Sequence, residues 1–346
     1  MKKLLRTILV TGGGIAALIG WQRWRTDQEH KELPAPGQLL DINGRKQHIR
    51  HLGNKNSDLL LLIDSGLGGY SAAWYKVLAQ LPPDLQVVVI DRPGMGWSDP
   101  ATTPRTSRHM AQELKKILDH LNLSQTKLIL VGHSLGAFNM RLFAHLYPER
   151  VKGAILIDGA HETFIDKLPS TYLQLLGATP ILRPLARFAG QLGLSRLAVT
   201  LATKTQPPEY PDNFWQEFDP QAFNEISVPR MWANYVDTVF AEFAGFTDSS
   251  KQIKTATQAN PRPFKNLPLI ALSSTPEITA KRIASIAPIN QERFIDHWCD
   301  MQASLSQLSH QEELRLSKNS GHNIILEEPE TVVQAMIDIV AQVQSA

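Results

Sequence analysis

Unbroken aliphatic runs, more than alternating ones, set the hydrophobic pattern of the chain: LLLLID at 59–64, VVVI at 87–90, LILV at 128–131 and AILI at 154–157. A strand that is apolar on both sides must be covered on both faces, so these runs predict parallel strands in the middle of a sheet with helices above and below. Two later segments continue the series, LPLIAL at 267–272 and, more weakly, EELRLS at 312–317. Between the second and third runs the period changes. Met110, Leu114, Ile117, Leu118 and Leu121 recur at helical spacing behind Thr106 or Ser107 as N-cap, which predicts an amphipathic helix over 107–121. The chain closes on a similar pattern, with Pro329 at a helix start and Val332, Val333, Met336, Ile339 and Val340 on one face.

Three stretches depart from this rhythm. In QLLDINGRKQHIRHLG, residues 38–53, short apolar runs flank Asn43-Gly44, a dipeptide suited to a tight turn that needs positive φ. An antiparallel pair should therefore open the folded part. From His161 to about Lys265 no strand is evident, but aromatic residues abound, among them Phe214, Trp215, Phe218, Trp232, Tyr235, Phe240 and Phe243. This predicts a helical insertion on the α/β core. Within it, TPILRPLARFAGQLGLSRLAV at 179–199 mixes aliphatic residues with arginines, a composition shared by helices that rest on a bilayer and by helices packed on a core.

The third departure is the N-terminus, where Lys2, Lys3 and Arg6 precede sixteen uncharged residues and Arg23 and Arg25 follow. Residues 1–25 are expected to form an uncleaved signal anchor, with Trp21 and Trp24 at the membrane interface, because no small-x-small cleavage site precedes WQRWR. The apolar part is shorter than the roughly 20 residues of a comfortable span. A buried helix is the alternative, and the four glycines of TGGGIAALIG weigh against it. Positive charge on both flanks leaves the orientation open. Residues 26–37, TDQEHKELPAPG, are polar and proline-containing and are expected to be a linker, leaving 38–346 as one domain.

Composition narrows the function classes. With 35 basic against 33 acidic residues and no basic block, a nucleic-acid partner is not expected. The single cysteine, Cys299, excludes an internal disulfide and a multi-cysteine metal site. At 346 residues and 43% hydrophobic content the chain can bury a large core.

The chemistry concentrates at Gly132-His133-Ser134-Leu135-Gly136. A serine hydroxyl is a weak nucleophile until a strained, exposed turn presents it to a base. Gly-x-Ser-x-Gly directly after a predicted strand and directly before a helix is the context that motif requires. His322, in SGHNI between a late strand and the last helix, is the candidate base, last in the order Ser, acid, His. An oxyanion hole needs backbone N–H groups, one of them that of Leu135 directly after the serine.

Taken in order, DSGLGGYSAAW, VVVIDRPGMGWSDP, VGHSLG, AILIDGAHE and SGHNI resemble the motifs of α/β-hydrolase-fold serine hydrolases, over roughly residues 38–344. The resemblance implies an α/β-hydrolase fold: a mostly parallel central sheet, helices on both faces and a helical cap at 161–265. It points to the Leu67 N–H as the second oxyanion donor. Ser65 departs from it, since many relatives carry histidine there. For the acid it leaves two positions open. Most members place it after the strand at 267–272, where Glu277 is the only candidate; a smaller set places it after the preceding core strand, where Asp158 stands. Asp158 is favoured, being at a strand's carboxyl end; Glu162 and Asp296 are weaker candidates, and Asp91 and Asp99 are expected to shape the DRPGMGWSD turn.

The resemblance further implies cleavage of carboxylic esters through an acyl-enzyme, on small-molecule or lipid substrates, with no cofactor and no metal. A serine nucleophile argues against epoxide hydrolase and dehalogenase chemistry, which in this fold uses aspartate. An acyltransferase or amidase with the same triad, or a non-catalytic binding protein, are the alternatives.

Overall fold

A computed structural model describes residues 2–167, 170–204, 218–286 and 288–345. Its sheet has eight strands: β1 (Gln38–Asp41), β2 (Lys46–Leu52), β3 (Leu59–Asp64), β4 (Gln86–Ile90), β5 (Lys127–His133), β6 (Val151–Ile157), β7 (Lys265–Ser273) and β8 (Ser309–Leu316), in the order β1-β2-β4-β3-β5-β6-β7-β8. β1 and β2 pair antiparallel, and β2 meets β4 antiparallel; all later pairings are parallel. The hairpin turns at Asn43 and Gly44, both at positive φ.

The helices are α1 (Lys2–Glu32), α2 (Tyr75–Leu78), α3 (Ser107–His120), α4 (Leu135–Leu146), α5 (Ser170–Gln191), α6 (Leu194–Lys204), α7 (Pro220–Ser227), α8 (Ala233–Ala259), α9 (Pro276–Ile286), α10 (Gln291–Ser306), α11 (Ile324–Glu327) and α12 (Pro329–Ser345). The period-2 geometry of strands explains the unbroken aliphatic runs. Leu60, Leu62, Leu128, Leu130, Ala154 and Leu156 face α3, α4 and α10 in one core. Their neighbours Leu61, Ile63, Ile129, Val131, Ile155 and Ile157 face α2 and α12 in a second core on the other side. Each run is apolar throughout because the sheet has two wet-free faces. β8, with one neighbour, is mostly exposed and alternates with partly buried positions only over 312–316, which is why its pattern is weaker.

Between β6 and β7 the described residues hold helices and turns but no strand. Phe214 and Trp215 lie outside the described residues. α8 is the helix that seats this cap on the core. Ser249 Oγ accepts the Ser107 N–H at 2.9 Å and Gln252 Oε1 accepts the Arg108 N–H at 3.0 Å, so side chains of α8 satisfy the free first-turn donors of α3. A Cβ at Gly245 would lie 2.1 Å from the Arg105 carbonyl oxygen, a contact only glycine allows. Trp232 and Phe218 pack with Tyr70, Met95 and Trp97 of the core.

The N-terminus differs from expectation. Anchor and linker are one helix, α1, which runs through residues 26–32 and stops before Pro34 and Pro36. Residues of both stretches make docking contacts: in the expected linker, Glu29 pairs with Arg196 and accepts the Trp232 Nε1–H at 3.1 Å, and in the expected anchor, Gln22 donates to the Met231 carbonyl at 2.9 Å. Proline disfavours helical geometry in the residue before it, which ends α1 at Glu32. Among the described residues no helix is long and apolar enough to cross a membrane. The expected spanning anchor is therefore not supported: the uncharged stretch is short and diluted by glycines.

Candidate active site

Ser134 joins β5 to α4 with φ 51° and ψ −117°. Few non-glycine residues sit at positive φ, and the strain here lifts the side chain clear of the turn. The flanking glycines let it form. A Cβ at Gly132 would stand 2.7 Å from the Ala137 nitrogen, and one at Gly136 would stand 2.4 Å from the Asp64 carbonyl oxygen. The Ser134 N–H donates to the Ile157 carbonyl, and the Ser134 carbonyl accepts the Ala160 N–H, both at 3.0 Å. These two bonds tie the serine to the end of β6, where Asp158 is itself held at φ 44°.

Three strand ends converge there. The Ser134 hydroxyl lies 2.9 Å from His322 Nε2, and His322 Nδ1 lies 2.6 Å from Asp158 Oδ2. Asp158 is fully buried, and its other oxygen accepts the Ser274 N–H at 2.8 Å. A carboxylate on Nδ1 selects the tautomer with the proton at Nδ1, leaving Nε2 to accept from the serine. The loop carrying His322 is pinned as well: its carbonyl accepts from His133 Nε2 at 2.8 Å, and Glu327 accepts both the Gly321 N–H and the Arg282 guanidinium. Burial first, and the neighbouring His322 second, hold the His133 pKa down to about 4.

Of the two acids left open by the sequence, the structure brings Asp158 to the histidine. Glu277 stands exposed in the first turn of α9. Glu162 pairs with Arg141, and Asp296 lies on the wall of the adjoining cavity. Asp91 and Asp99 do shape their turn: Asp91 accepts from His48, Ser71 and Trp97, and Asp99 Oδ2 accepts the Lys46 N–H.

Leu135 opens α4, so its N–H is one of the free first-turn donors at the positive end of a helix dipole. Leu67 lies across the cavity floor in the loop after β3, and both leucines line the same cavity as Ser134. Where relatives carry histidine, Ser65 accepts the Trp74 Nε1–H at 2.9 Å. The cavity has a volume of about 1080 Å³. Its walls come from α8 (Phe243, Phe246), from Phe164 after β6 and from α10 (Phe294, Trp298). The rings form a ladder, Phe246 to Phe164 at 6.2 Å, Phe164 to Trp298 at 6.3 Å and Trp298 to His322 at 5.8 Å.

Several residues around this site went unseen in the sequence. Ser274 and Thr279 buttress Asp158, and their signal was present in SSTPEIT, directly after β7. The helical excursion α9–α10 was legible too: Asn290 caps α10 by accepting the Arg293 N–H, and Phe294, Trp298, Met301 and Leu305 follow at helical spacing. Among the described residues no cluster of His, Cys, Asp or Glu converges as a metal site would.

Strand order, a serine on a strained strand-to-helix turn, and the chain order Ser, Asp, His together define the alpha/beta hydrolase class. The family model described as alpha/beta hydrolase fold matches residues 60–329, and the chain belongs to that family. A putative carbamate hydrolase, RutD, of Pseudomonas savastanoi pv. phaseolicola is 41% identical over 101 residues, 29% of this chain and 38% of that protein. A poly(3-hydroxyalkanoate) depolymerase of Ectopseudomonas oleovorans is 35% identical over 96 residues, 28% of this chain and 33% of that protein. The chain thus matches well under half the length of these curated relatives. Among solved structures, a thermophilic esterase from Thermogutta terrifontis superposes with a TM-score of 0.61 at 20% identity, over 88% of this chain and 97% of that one. At that identity the likeness carries the fold alone.

Proposed function

We propose that the protein is a serine hydrolase that cleaves carboxylic esters. The observation that carries this reading is the hydrogen-bonded line Ser134, His322, Asp158, with distances of 2.9 and 2.6 Å, at the floor of an apolar cavity. In this reading the Ser134 oxygen attacks the ester carbonyl while His322 Nε2 takes its proton. The Leu135 and Leu67 N–H groups hold the resulting oxyanion. Collapse breaks the bond to the alkoxy group, which leaves with the proton from His322, and the acyl group stays on Ser134. Water, deprotonated by His322, then attacks the acyl-enzyme and releases the acid. Asp158 keeps the imidazole oriented and offsets its transient charge. The names of two relatives, a hydrolase and a depolymerase, support bond cleavage as the outcome.

The test is hydrolysis of p-nitrophenyl esters from acetate to palmitate together with labelling by a fluorophosphonate probe. Both activities should be present in the wild type and absent in Ser134→Ala. A wild type that takes no probe and cleaves no ester would sink the reading and favour a non-catalytic binding protein. Ester cleavage that is slow beside transfer to an added alcohol or amine would favour the acyltransferase reading.

The same reading includes a seat at a lipid surface, held peripherally by α1, α5 and α6. Trp21, Trp24, Ile181, Leu185, Leu197 and Leu201 are exposed large apolar side chains on these three helices, and Ile181 is 72% exposed. Amphipathic helices with aromatic and basic residues bind anionic interfaces in this way. Sedimentation with anionic vesicles should carry the wild type down and leave an Ile181→Asp, Leu197→Asp double variant in the supernatant; equal recovery of both would refute the lipid seat.

A further inference from the structure

A second buried polar cluster surrounds Arg92, in the loop after β4. A guanidinium has five N–H donors, and here each has an acceptor. Nε donates to Glu242 Oε1 at 2.7 Å. Nη1 donates to Asp64 Oδ1 at 2.6 Å and to the Ser65 carbonyl at 2.7 Å. Nη2 donates to the Gly66 carbonyl at 2.7 Å and to Glu242 Oε2 at 2.9 Å. Arg92, Asp64 and Glu242 are all at most 1% exposed. Burial would disfavour the charged arginine, but the Asp64 and Glu242 carboxylates reverse that effect and raise its pKa.

Two of these bonds end on carbonyls of the loop that carries Leu67. The Gly66 carbonyl and the Leu67 N–H belong to one planar amide, and among the described residues every peptide bond is trans. In a trans amide the N–H points opposite to the C=O. Holding the carbonyl on the buried guanidinium therefore sets the direction of the Leu67 N–H. A cation on the carbonyl also polarises the amide and makes the N–H a stronger donor. The next two peptides are held by α8: Glu242 Oε2 accepts the Gly68 N–H at 3.1 Å, and Tyr235 Oη donates to the Gly68 carbonyl at 3.1 Å. Gly68 sits at φ 69°, a conformation that would strain any residue with a Cβ.

We propose that Arg92 and Glu242 are positioning residues that aim the Leu67 N–H at the oxyanion site, so that the oxyanion hole is complete only when the cap helix α8 is docked. This rests on the ester-hydrolase reading above. It also accounts for a carboxylate on a cap helix that is buried against the core and paired with an arginine outside the cavity lining.

The experiment uses the full chain as wild type, Glu242→Gln and Tyr235→Phe. It measures kcat and KM on p-nitrophenyl butyrate, and the inhibition constants of an alkyl trifluoromethyl ketone and of the matching secondary alcohol. The ketone forms an oxyanion on Ser134 and the alcohol does not. Loss of a whole oxyanion donor lowers kcat by about 100- to 1000-fold, so a misaimed donor in Glu242→Gln should lower it about 10- to 100-fold with KM little changed. Ketone binding should weaken in step, alcohol binding should hold, and Tyr235→Phe should shift the same ratio by less. An unchanged kcat, or equal weakening of both inhibitors, would overturn the proposal and leave Glu242 a structural residue. Should Glu242→Gln fail to fold, Tyr235→Phe decides alone, and an unchanged ratio of the two inhibition constants overturns the proposal. A wild type that cleaves no ester and takes no fluorophosphonate overturns the ester-hydrolase reading and this proposal with it; an active wild type with an insensitive Glu242→Gln overturns only the latter.

Discussion

The Ser274 hydroxyl donates at 2.9 Å to the same Asp158 oxygen that holds His322 Nδ1 at 2.6 Å. Ser274 receives a hydrogen bond in turn from Thr279 of α9, so the loop after β7 reaches the histidine through a serine and not through a carboxylate of its own. A hydrogen bond to a charged group contributes about 1.5–3 kcal/mol. If Ser274→Ala loosens Asp158, kcat on p-nitrophenyl butyrate should fall about 10-fold while KM stays within a factor of about two. A rise in KM with kcat unchanged would mean that Ser274 acts on substrate binding and not through Asp158.

Asp158→Asn and Glu277→Gln separate the two candidate acids. An amide at position 158 turns the imidazole to the wrong tautomer, an effect that in serine triads lowers kcat by about 10⁴-fold. Glu277, exposed on α9, should be replaceable by Gln without loss of rate. The measurement is kcat for both variants at pH 7.5, with the Ser134 labelling rate as a second readout. Full activity in Asp158→Asn would remove Asp158 from the triad.

Much of this was legible before the structure because strands buried on both faces leave no room for polar residues, and because a strained turn needs glycine at fixed offsets from Ser134. Both signals are local. The acid was not, since the choice between Asp158 and Glu277 depends on where two loops meet in space. The buried polar cluster behind the loop that carries Leu67 was less visible still. Arg92 and Glu242 are 150 residues apart, and only the docking of α8 brings them together. The linker expectation for residues 26–32 departs from the structure for a related reason. Residues 26–32 have the composition of a linker, and what makes them a helix is the tertiary partner that Glu29 finds in Arg196.

The ladder from Phe246 to Trp298 predicts how the cavity selects substrates. Each buried methylene contributes about 0.8 kcal/mol, close to fourfold in kcat/KM, until the acyl chain fills the apolar space. Rates across p-nitrophenyl acetate, butyrate, octanoate and palmitate should therefore rise and then level off or fall. Trp298 is 5% exposed and stacks on Phe294 at 5.3 Å. Trp298→Leu should enlarge the cavity beside His322 and move the optimum to longer chains. A profile identical to wild type would place the acyl group elsewhere.

His133 makes folding stability depend on pH, and the sign follows from its burial. Its folded pKa is lowered to about 4 from the ordinary 6.5, so the ring is neutral in the fold. Above pH 6.5 it is neutral in the unfolded chain as well and contributes nothing to the slope. As pH falls from 6.5 towards 4, the unfolded chain takes a proton that the folded chain refuses, and stability drops by up to about 3 kcal/mol. His145 and His161 are also lowered to about 4 by burial, but they are partly exposed and contribute less. Glu162 works in the same direction but at lower pH: Arg141 outweighs the effect of burial and holds its pKa at about 2, so its stabilisation is present above the ordinary 4.5 and fades only as pH falls below it. Between pH 6.5 and 4.5 the histidines decide. The melting temperature should fall steadily from pH 7 to pH 5, and His133→Gln, whose side-chain amide can still donate to the His322 carbonyl, should fall less steeply. Equal slopes for the variant and the wild type would show that His133 takes its proton in the folded state as readily as in water.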